Sequence, residues 1–210
     1  MEDLVSSHAN PDFLIIGGGV IGLSIARGLK RSFPDATIVL IEKEAECGMH
    51  ASGRNSGVLH AGFYYSPDSL KARYTRQGNA LLTDYCKSRN IKINQCGKLV
   101  VAKDESEHQS LDELLRRGRA NDVALEDISA EEARAIEPRV KTCGRALFSP
   151  TTATVDPYDV MLAMKDDAVN EGVSIASGVA YLKKDEQSVV TTGEVYQPGY
   201  VVNAAGLYAD

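Results

Sequence analysis

Residues 13–22 read FLIIGGGVIG, a short apolar run followed at once by glycines. Consecutive apolar residues that end in glycines are typical of a buried parallel strand. From Gly19 to about Arg31, apolar side chains recur at helical spacing and predict a helix. After a turn at residues 34–36, Thr37 and the apolar residues 38–41 predict a second buried strand that ends at Glu42. The stretch therefore predicts a βαβ unit with a right-handed crossover, and an α/β fold.

The glycines of this turn fit the spacing G-x-G-x-x-G at Gly17, Gly19 and Gly22. In a dinucleotide-binding unit, the first permits the tight turn, the second lets the backbone approach a pyrophosphate, and the third lets helix and strand pack closely. The N-terminus of the helix adds N–H groups and a positive dipole end for the phosphates. Glu42 follows Gly22 by twenty residues and can accept hydrogen bonds from ribose hydroxyls. The pattern therefore predicts a dinucleotide site.

A glycine-rich loop follows the second strand, where a nicotinamide enzyme of this type often has another helix. Nine of the 18 glycines precede residue 63, and residues 47–62 read CGMHASGRNSGVLHAG. Small residues and polar atoms in such a loop suit a backbone that runs along the edge of a flavin. The loop favours a flavin, and an NAD-dependent Rossmann enzyme stays an alternative that a yellow purified protein would exclude.

The rest of the chain alternates between predicted helices and strands. The helices are residues 67–90, 104–121, 130–137 and 156–171, and the strands are residues 97–102, 146–148, 151–155, 172–184, 188–192 and 200–203. No internal repeat or low-complexity segment interrupts this order.

Composition and charge narrow the class of protein. The formal net charge is −6, from 23 Lys and Arg against 29 Asp and Glu, which argues against nucleic-acid binding because phosphates require a basic face. The cysteines, at positions 47, 86, 96 and 143, form no C-x-x-C pair, so we expect no zinc or other metal site and no disulfide framework. The chain lacks an apolar run near the roughly 18 residues of a transmembrane segment. Residues 1–10 show no signal or transit pattern, which favours a cytoplasmic location or one at the membrane periphery.

The loop and the residues after it carry a family resemblance. Residues 51–57 read ASGRNSG, residues 54–72 read RNSGVLHAGFYYSPDSLKA, and residues 155–157 and 202–210 read VDP and VNAAGLYAD. With the glycine fingerprint and Glu42, the first motif resembles FAD-dependent oxidoreductases of the D-amino-acid oxidase/glycerol-3-phosphate dehydrogenase superfamily. The longer run is similar to the L-2-hydroxyglutarate dehydrogenase/oxidase family, and the resemblance extends over nearly the whole chain.

This resemblance implies a discontinuous FAD-binding domain, residues 1–66 and 151–210, with a partial, inserted α+β substrate domain at residues 67–150. Gly17, Gly19 and Gly22 would hold the FAD pyrophosphate, and Glu42 the adenosine ribose. The other implied cofactor contacts are Lys43 on the adenine side, Ser52, Arg54, Asn55, Ser56 and Gly57 towards the isoalloxazine ring, the backbone of Val179 at the adenine, and the turn at Ala205 and Gly206. Because the superfamily continues beyond this turn, the resemblance also predicts a truncated chain with weak or no FAD retention.

The implied reaction is the oxidation of L-2-hydroxyglutarate, a small 2-hydroxy acid, to 2-oxoglutarate by hydride transfer to the flavin. A base must remove the hydroxyl proton, and His60 in the flavin-side loop is the candidate; a hydrogen bond to the loop or flavin is its alternative role. His8 and His108 are expected at the surface. The resemblance further implies a membrane quinone or oxygen as the electron acceptor, and a mitochondrial location in a eukaryotic source.

Several roles and functions stay open at this point. Arg54 could oppose charge near the reduced flavin or contact a phosphate. The other side chains with two interpretations are Lys71, Arg73 and Arg76, for substrate carboxylates or a solvated face, and Tyr64 and Tyr65, for substrate oxygens or packing. Within the superfamily, glycerol-3-phosphate dehydrogenase or an amine or amino-acid oxidase is the second candidate. A non-catalytic flavin-binding fragment is the third.

Overall fold

The computed structural model describes residues 10–210, so His8 lies outside the described residues. The helices are α1 (Val20–Ser32), α2 (Leu70–Ser88), α3 (His108–Ala120), α4 (Ala130–Ile136) and α5 (Pro157–Asn170). The strands are β1 (Phe13–Ile16), β2 (Ile38–Glu42), β3 (Val58–Leu59), β4 (Ile93–Asn94), β5 (Lys98–Val101), β6 (Glu126–Ser129), β7 (Arg145–Ser149), β8 (Ala153–Val155), β9 (Ser174–Ser177), β10 (Tyr181–Asp185), β11 (Ser188–Thr191), β12 (Val195–Tyr196) and β13 (Tyr200–Asn203). Short 3-10 turns span Glu105–Glu107 and Gly206–Tyr208.

The chain divides into two compact units. The first contains the described residues up to Asn55 together with Pro157–Asp210, and the second is Ser56–Asp156. The sequence grouped residues 56–66 and 151–156 with the FAD-binding segments, whereas here both stretches lie in the second unit. The pairing of β3 with β8 accounts for this difference, because it ties the start of the second unit to its end.

A parallel sheet in the order β13-β1-β2-β9 forms the centre of the first unit. Neighbouring residues of β1 face opposite layers: Ile15 packs in the cluster that contains Leu23 of α1, and Leu14 packs against Val189 and Tyr196 of the antiparallel sheet β10-β11-β12. A strand buried on both faces needs an unbroken apolar run, which is what residues 13–16 supply. The predicted α/β fold with a parallel sheet is confirmed.

The strand predicted over residues 172–184 is wrong as a single element. β9 ends at Ser177, and β10 begins at Tyr181. Gly178 between them has a φ of +74°. The N–H groups of Gly178 and Val179 donate to the carbonyls of Glu44 and Glu42, at 2.8 and 2.9 Å. The chain therefore turns out of the parallel sheet at the end of β2, and the antiparallel sheet starts after this turn.

Two antiparallel sheets, β3-β8-β4 and β5-β7-β6, form the second unit with α2, α3 and α4. The sequence pattern does not predict β3, β4 or β6, because such short runs carry no readable period. α2 begins at Leu70 rather than at residue 67, because the Ser69 hydroxyl accepts a hydrogen bond from the Ala72 N–H at 3.1 Å and caps the helix. Phe63 and Leu147 are fully buried in this unit.

Candidate functional site

The turn between β1 and α1 depends on two of its glycines. Gly17 has a φ of +111°, and a Cβ there would lie 2.5 Å from the carbonyl oxygen of Ala204, just after β13. A Cβ on Gly22 would lie 1.9 Å from the carbonyl oxygen of Gly17. Neither distance is compatible with a side chain. Only glycine therefore lets α1 start directly against the ends of β1 and β13.

The first turn of α1 is open to an anion. Gly19 is the N-cap residue and offers no side-chain cap, and the first turn has no acidic residue. The Val20 N–H donates to the Ser52 hydroxyl at 3.0 Å, and a Cβ on Gly19 would come within 3.1 Å of the same oxygen. Because helix N-termini attract negative charge, this glycine-lined turn, whose N-cap residue has no side chain, fits a pyrophosphate.

Glu42 holds the glycine turn against the end of β2. One carboxylate oxygen accepts the Gly18 N–H at 2.7 Å, and the other accepts the Glu44 N–H at 2.9 Å. Each carboxylate oxygen can accept a second hydrogen bond, so a ribose hydroxyl could still bind. Glu42, predicted to contact the ribose, therefore also stabilises the backbone turn that would bind the phosphates.

The residues predicted from the second half of the chain lie beside this turn. Val179 donates its N–H to the Glu42 carbonyl at 2.9 Å. A Cβ on Gly17 would lie 3.1 Å from the Cα of Ala205, whose N–H donates to the Asn203 side chain at 3.1 Å. Gly206 is exposed, and its φ is +62°. The structure thus brings β1, β2 and β13 together at their carboxyl ends, where α/β folds bind ligands.

The loop after β2 is fastened to the glycine turn. The Gly48 N–H donates to the Gly18 carbonyl at 3.1 Å. The Asn55 amide donates to the carbonyls of Ala51 and Ser52 at 3.1 and 2.9 Å, which fixes the segment that carries the Ser52 hydroxyl. The side chain of Arg54 is exposed.

A cluster at the end of β2 was not predicted from the sequence. The Lys43 ammonium lies 3.2 Å from the centre of the Tyr208 ring, and His50 meets that ring edge-on at 5.3 Å. His50 also contacts the Glu44 carboxylate at 2.8 Å, and this hydrogen bond lowers the pKa of Glu44. The cluster joins three separate segments, so no local signal could have found it.

The remaining predicted residues, Ser56, Gly57 and His60, lie in the second unit. Ser56 is exposed, and Gly57 is buried with a φ of +66°. His60 directly follows β3. Partial burial of the ring, with a contribution from the nearby Lys98 ammonium, lowers the pKa of His60 below its ordinary value. A lowered pKa keeps the imidazole neutral near pH 7, the form that can accept a proton.

The three cationic side chains of α2 that were candidates for binding substrate carboxylates each contact an aromatic ring or a carboxylate of this chain. Lys71 lies 4.6 Å from the centre of the Tyr65 ring, and Arg73 lies 5.6 Å from that of Tyr74. Arg76 forms an ion pair with Asp122. In the part of the chain that the structure describes, no helix is long and apolar enough to cross a membrane, and no group of His, Cys, Asp or Glu is arranged to hold a metal ion.

Comparison with known proteins identifies the family. The family described as FAD dependent oxidoreductase (DAO) matches residues 12–210. The chain belongs to this family. The predicted membership of a superfamily of FAD-dependent oxidoreductases is therefore confirmed, and the glycine turn, Glu42 and the loop after β2 lie in the matched region.

The chain is also similar to individual curated proteins. The chain is similar to L-2-hydroxyglutarate dehydrogenase of Salmonella houtenae, with 39% identity over 204 residues that cover 95% of this chain and 48% of that protein. It is 36% identical to the human mitochondrial L-2-hydroxyglutarate dehydrogenase over 222 residues, 98% of this chain and 48% of that protein. The chain thus spans about half the length of the curated relatives it matches.

Solved structures share the fold. A glycine oxidase from Geobacillus kaustophilus superposes with a TM-score of 0.84 at 24% identity, over 96% of this chain and 56% of that chain. The L-alpha-glycerophosphate oxidase from Mycoplasma pneumoniae, with FAD bound, superposes with a TM-score of 0.81 at 26% identity, over 93% of this chain and 54% of that chain.

Proposed function

We propose that the first unit binds FAD at the glycine turn. The open first turn of α1, with Gly19 and the Ser52 hydroxyl, would hold the pyrophosphate, and the free lone pairs of Glu42 would accept the ribose hydroxyls. Lys43 and the backbone of Val179 lie next to Glu42 and would contact the adenosine. Ala205 and Gly206 would border the pyrophosphate from the turn after β13.

In the whole protein, we propose, this site supports the oxidation of L-2-hydroxyglutarate to 2-oxoglutarate. The observation that carries the proposal is the match of 39% identity to an L-2-hydroxyglutarate dehydrogenase over 95% of this chain. That match includes both the glycine turn and the His60 region. The resemblance of residues 54–72 to the same family supports it independently of the fold.

When bound, FAD would accept the hydride from C2 of the substrate. His60 would take the proton of the C2 hydroxyl, and its lowered pKa favours the neutral ring that this step requires. The family resemblance supports Arg54, Asn55, Ser56 and Gly57 as contacts on the isoalloxazine side of the cofactor.

The same resemblance supports a proposal for the electron acceptor and for the location. We propose that electrons pass on to a membrane quinone or to oxygen. The human relative is named as mitochondrial, so we propose a mitochondrial location for a eukaryotic source, and otherwise a cytoplasmic one at or near a membrane.

The test is anaerobic reduction of the flavin in the protein produced from its natural gene. We expect L-2-hydroxyglutarate to bleach the visible flavin absorption, and D-2-hydroxyglutarate to leave it unchanged. sn-Glycerol 3-phosphate, glycine and L-proline serve as comparison substrates. Rapid bleaching by one of these three, with none by L-2-hydroxyglutarate, would replace the proposed substrate. A protein that copurifies with no flavin and binds none would refute the FAD site.

A further inference from the structure

Lys98, at the start of β5, carries a cation that the proposed function leaves unused. Its side chain is half-buried, and its ammonium lies 4.8 Å from the centre of the Tyr64 ring. Among residues 10–210, no carboxylate lies within ion-pair distance of this ammonium. An aromatic face stabilises a cation without neutralising it. The Lys98 ammonium is therefore available to an anion from outside the chain.

Backbone pairing connects the residues before Lys98 and before the candidate base His60 to one dipeptide, Thr152–Ala153. Leu59, directly before the histidine, lies opposite Ala153 in the pairing of β3 with β8. Gly97, directly before Lys98, donates its N–H to the carbonyl of Thr152 at 3.0 Å. Thr152 and Ala153 are consecutive. His60 and Lys98 thus each directly follow a residue that is paired with the dipeptide Thr152–Ala153.

Two hydrogen bonds from the Asn79 side chain hold the segment in place. The Asn79 amide of α2 donates to the Leu59 carbonyl at 3.0 Å and to the Thr151 carbonyl at 3.1 Å. One side chain therefore fixes β3 and the turn before β8 together. The positive charge of Lys98 contributes to the lowered pKa of His60, as expected for two groups held near each other.

From this arrangement we infer that Lys98 binds the C1 carboxylate of the 2-hydroxy acid while His60 faces the C2 hydroxyl. C1 is bonded directly to C2, so a cation next to the base meets C1 rather than the distal carboxylate of the substrate. The ammonium offers three donors and a full charge, which suit a carboxylate. This inference rests on the proposed function and adds the residue that recognises the 2-hydroxy acid.

The experiment compares three variants of the protein produced from its natural gene and loaded with FAD. Lys98→Met keeps the apolar stem and removes the charge, Lys98→Arg keeps the charge, and Lys103→Met is the matched control on an exposed lysine of the same unit. We expect Lys98→Met to raise the KM for L-2-hydroxyglutarate and the calorimetric Kd for 2-oxoglutarate by about 10- to 100-fold, the range for a hydrogen bond to a charged group. Lys98→Arg should recover most of this loss, and Lys103→Met should match the wild type.

A monocarboxylate tests which end of the substrate Lys98 binds. L-2-hydroxybutyrate has the C1 carboxylate and no distal one, so Lys98→Met should weaken its binding by the same factor as for L-2-hydroxyglutarate. An effect confined to L-2-hydroxyglutarate would overturn the C1 assignment. Reduction of the wild type by L-2-hydroxyglutarate with no change in Lys98→Met would overturn the inference and leave the proposed function standing. A wild type that L-2-hydroxyglutarate does not reduce would refute both.

Discussion

The glycine turn of the first unit and the His60 region of the second present two different kinds of site. In the turn, the backbone itself makes the site, because a Cβ on Gly17 or Gly22 would lie 2.5 or 1.9 Å from a carbonyl oxygen. In the His60 region, the candidate groups are side chains, with His60 exposed to solvent along part of its ring and Lys98 half-buried. Substitutions in the turn should therefore impair folding and FAD binding together, whereas those near His60 should impair substrate binding or the chemical step and leave stability and FAD affinity unchanged.

The largest effect is expected from Gly22→Ala. The new methyl group would collide with the Gly17 carbonyl, so α1 would have to move away from β1. We expect FAD binding, measured by quenching of flavin fluorescence, to be lost. The free energy of unfolding in urea, followed by circular dichroism, should fall by about 3 kcal/mol, the upper range for a methyl group forced into a packed site.

Gly28→Ala, in the same helix, is the matched control. A Cβ at Gly28 meets nothing within 4 Å. Alanine has the higher helix propensity, so the free energy of unfolding should rise by up to about 1 kcal/mol with FAD affinity unchanged. Retention of full FAD affinity in Gly22→Ala would break the contrast between the two regions.

His60→Ala tests the His60 region of the second unit. Loss of a general base should slow flavin reduction by L-2-hydroxyglutarate by about 10²- to 10⁴-fold. FAD affinity should not change, and the free energy of unfolding should stay within about 0.5 kcal/mol, as for most exposed positions. Stopped-flow absorption in the wild type and the variant gives the rate directly. An unchanged rate would remove His60 from the reaction.

The pH dependence of the wild type gives a second check on His60. The base must be neutral, so the rate should fall as the pH drops through the pKa of His60, which lies below the ordinary 6.5. Lys98→Met removes a positive charge that lowers this pKa, and should move the fall in rate to higher pH. His108→Ala, whose ring bonds the Cys143 carbonyl at 2.8 Å, should leave the profile in place.

Within the first unit, the glycine turn and the cluster of Lys43, His50 and Tyr208 differ in how far the sequence predicts them. Gly17, Gly19 and Gly22 lie within six residues, and their contacts follow from one local turn, so the pattern was sufficient. The ring of Tyr208 meets Lys43 and His50 only because β13 lies in the same sheet as β2, and no spacing along the chain records that. The sequence thus predicts the local backbone conformation of the turn, but it does not predict contacts between segments that are distant along the chain.

The break after β9 shows the same limit within one predicted strand. Residues 172–184 have the composition of a continuous strand. The interruption at Gly178 depends on the carbonyls of Glu42 and Glu44, more than 130 residues earlier in the chain, which accept the backbone N–H groups there. The backbone conformation at Val179, the proposed adenine contact, is thereby set by tertiary pairing rather than by its own sequence.

Glu42→Gln should have a smaller effect than the changes above. The glutamine amide has one oxygen, which can still accept one N–H, and one NH2 group, which cannot accept the other. One of the two hydrogen bonds from the Gly18 and Glu44 N–H groups is therefore lost. We expect the free energy of unfolding to fall by about 1–2 kcal/mol and FAD affinity to fall with it. Glu46→Gln, at an exposed position of the following loop, is the control and should be neutral. A loss of stability without a loss of FAD affinity would mean that Glu42 stabilises the turn but does not bind the cofactor.

The smallest effect is expected from Ser129→Ala, in the second unit. The Ser129 hydroxyl accepts the Glu132 N–H at 3.2 Å, and the Glu132 carboxylate accepts the Ser129 N–H at 2.7 Å, so the two cap α4 reciprocally. Removal of the hydroxyl should lower the free energy of unfolding by about 1 kcal/mol, measured in urea. FAD affinity and the rate of flavin reduction should not change, because this cap supports the fold of the second unit and belongs to neither candidate site. A parallel loss of FAD affinity would mean that the stability of the second unit limits binding in the first, and the separation between the two regions would fail.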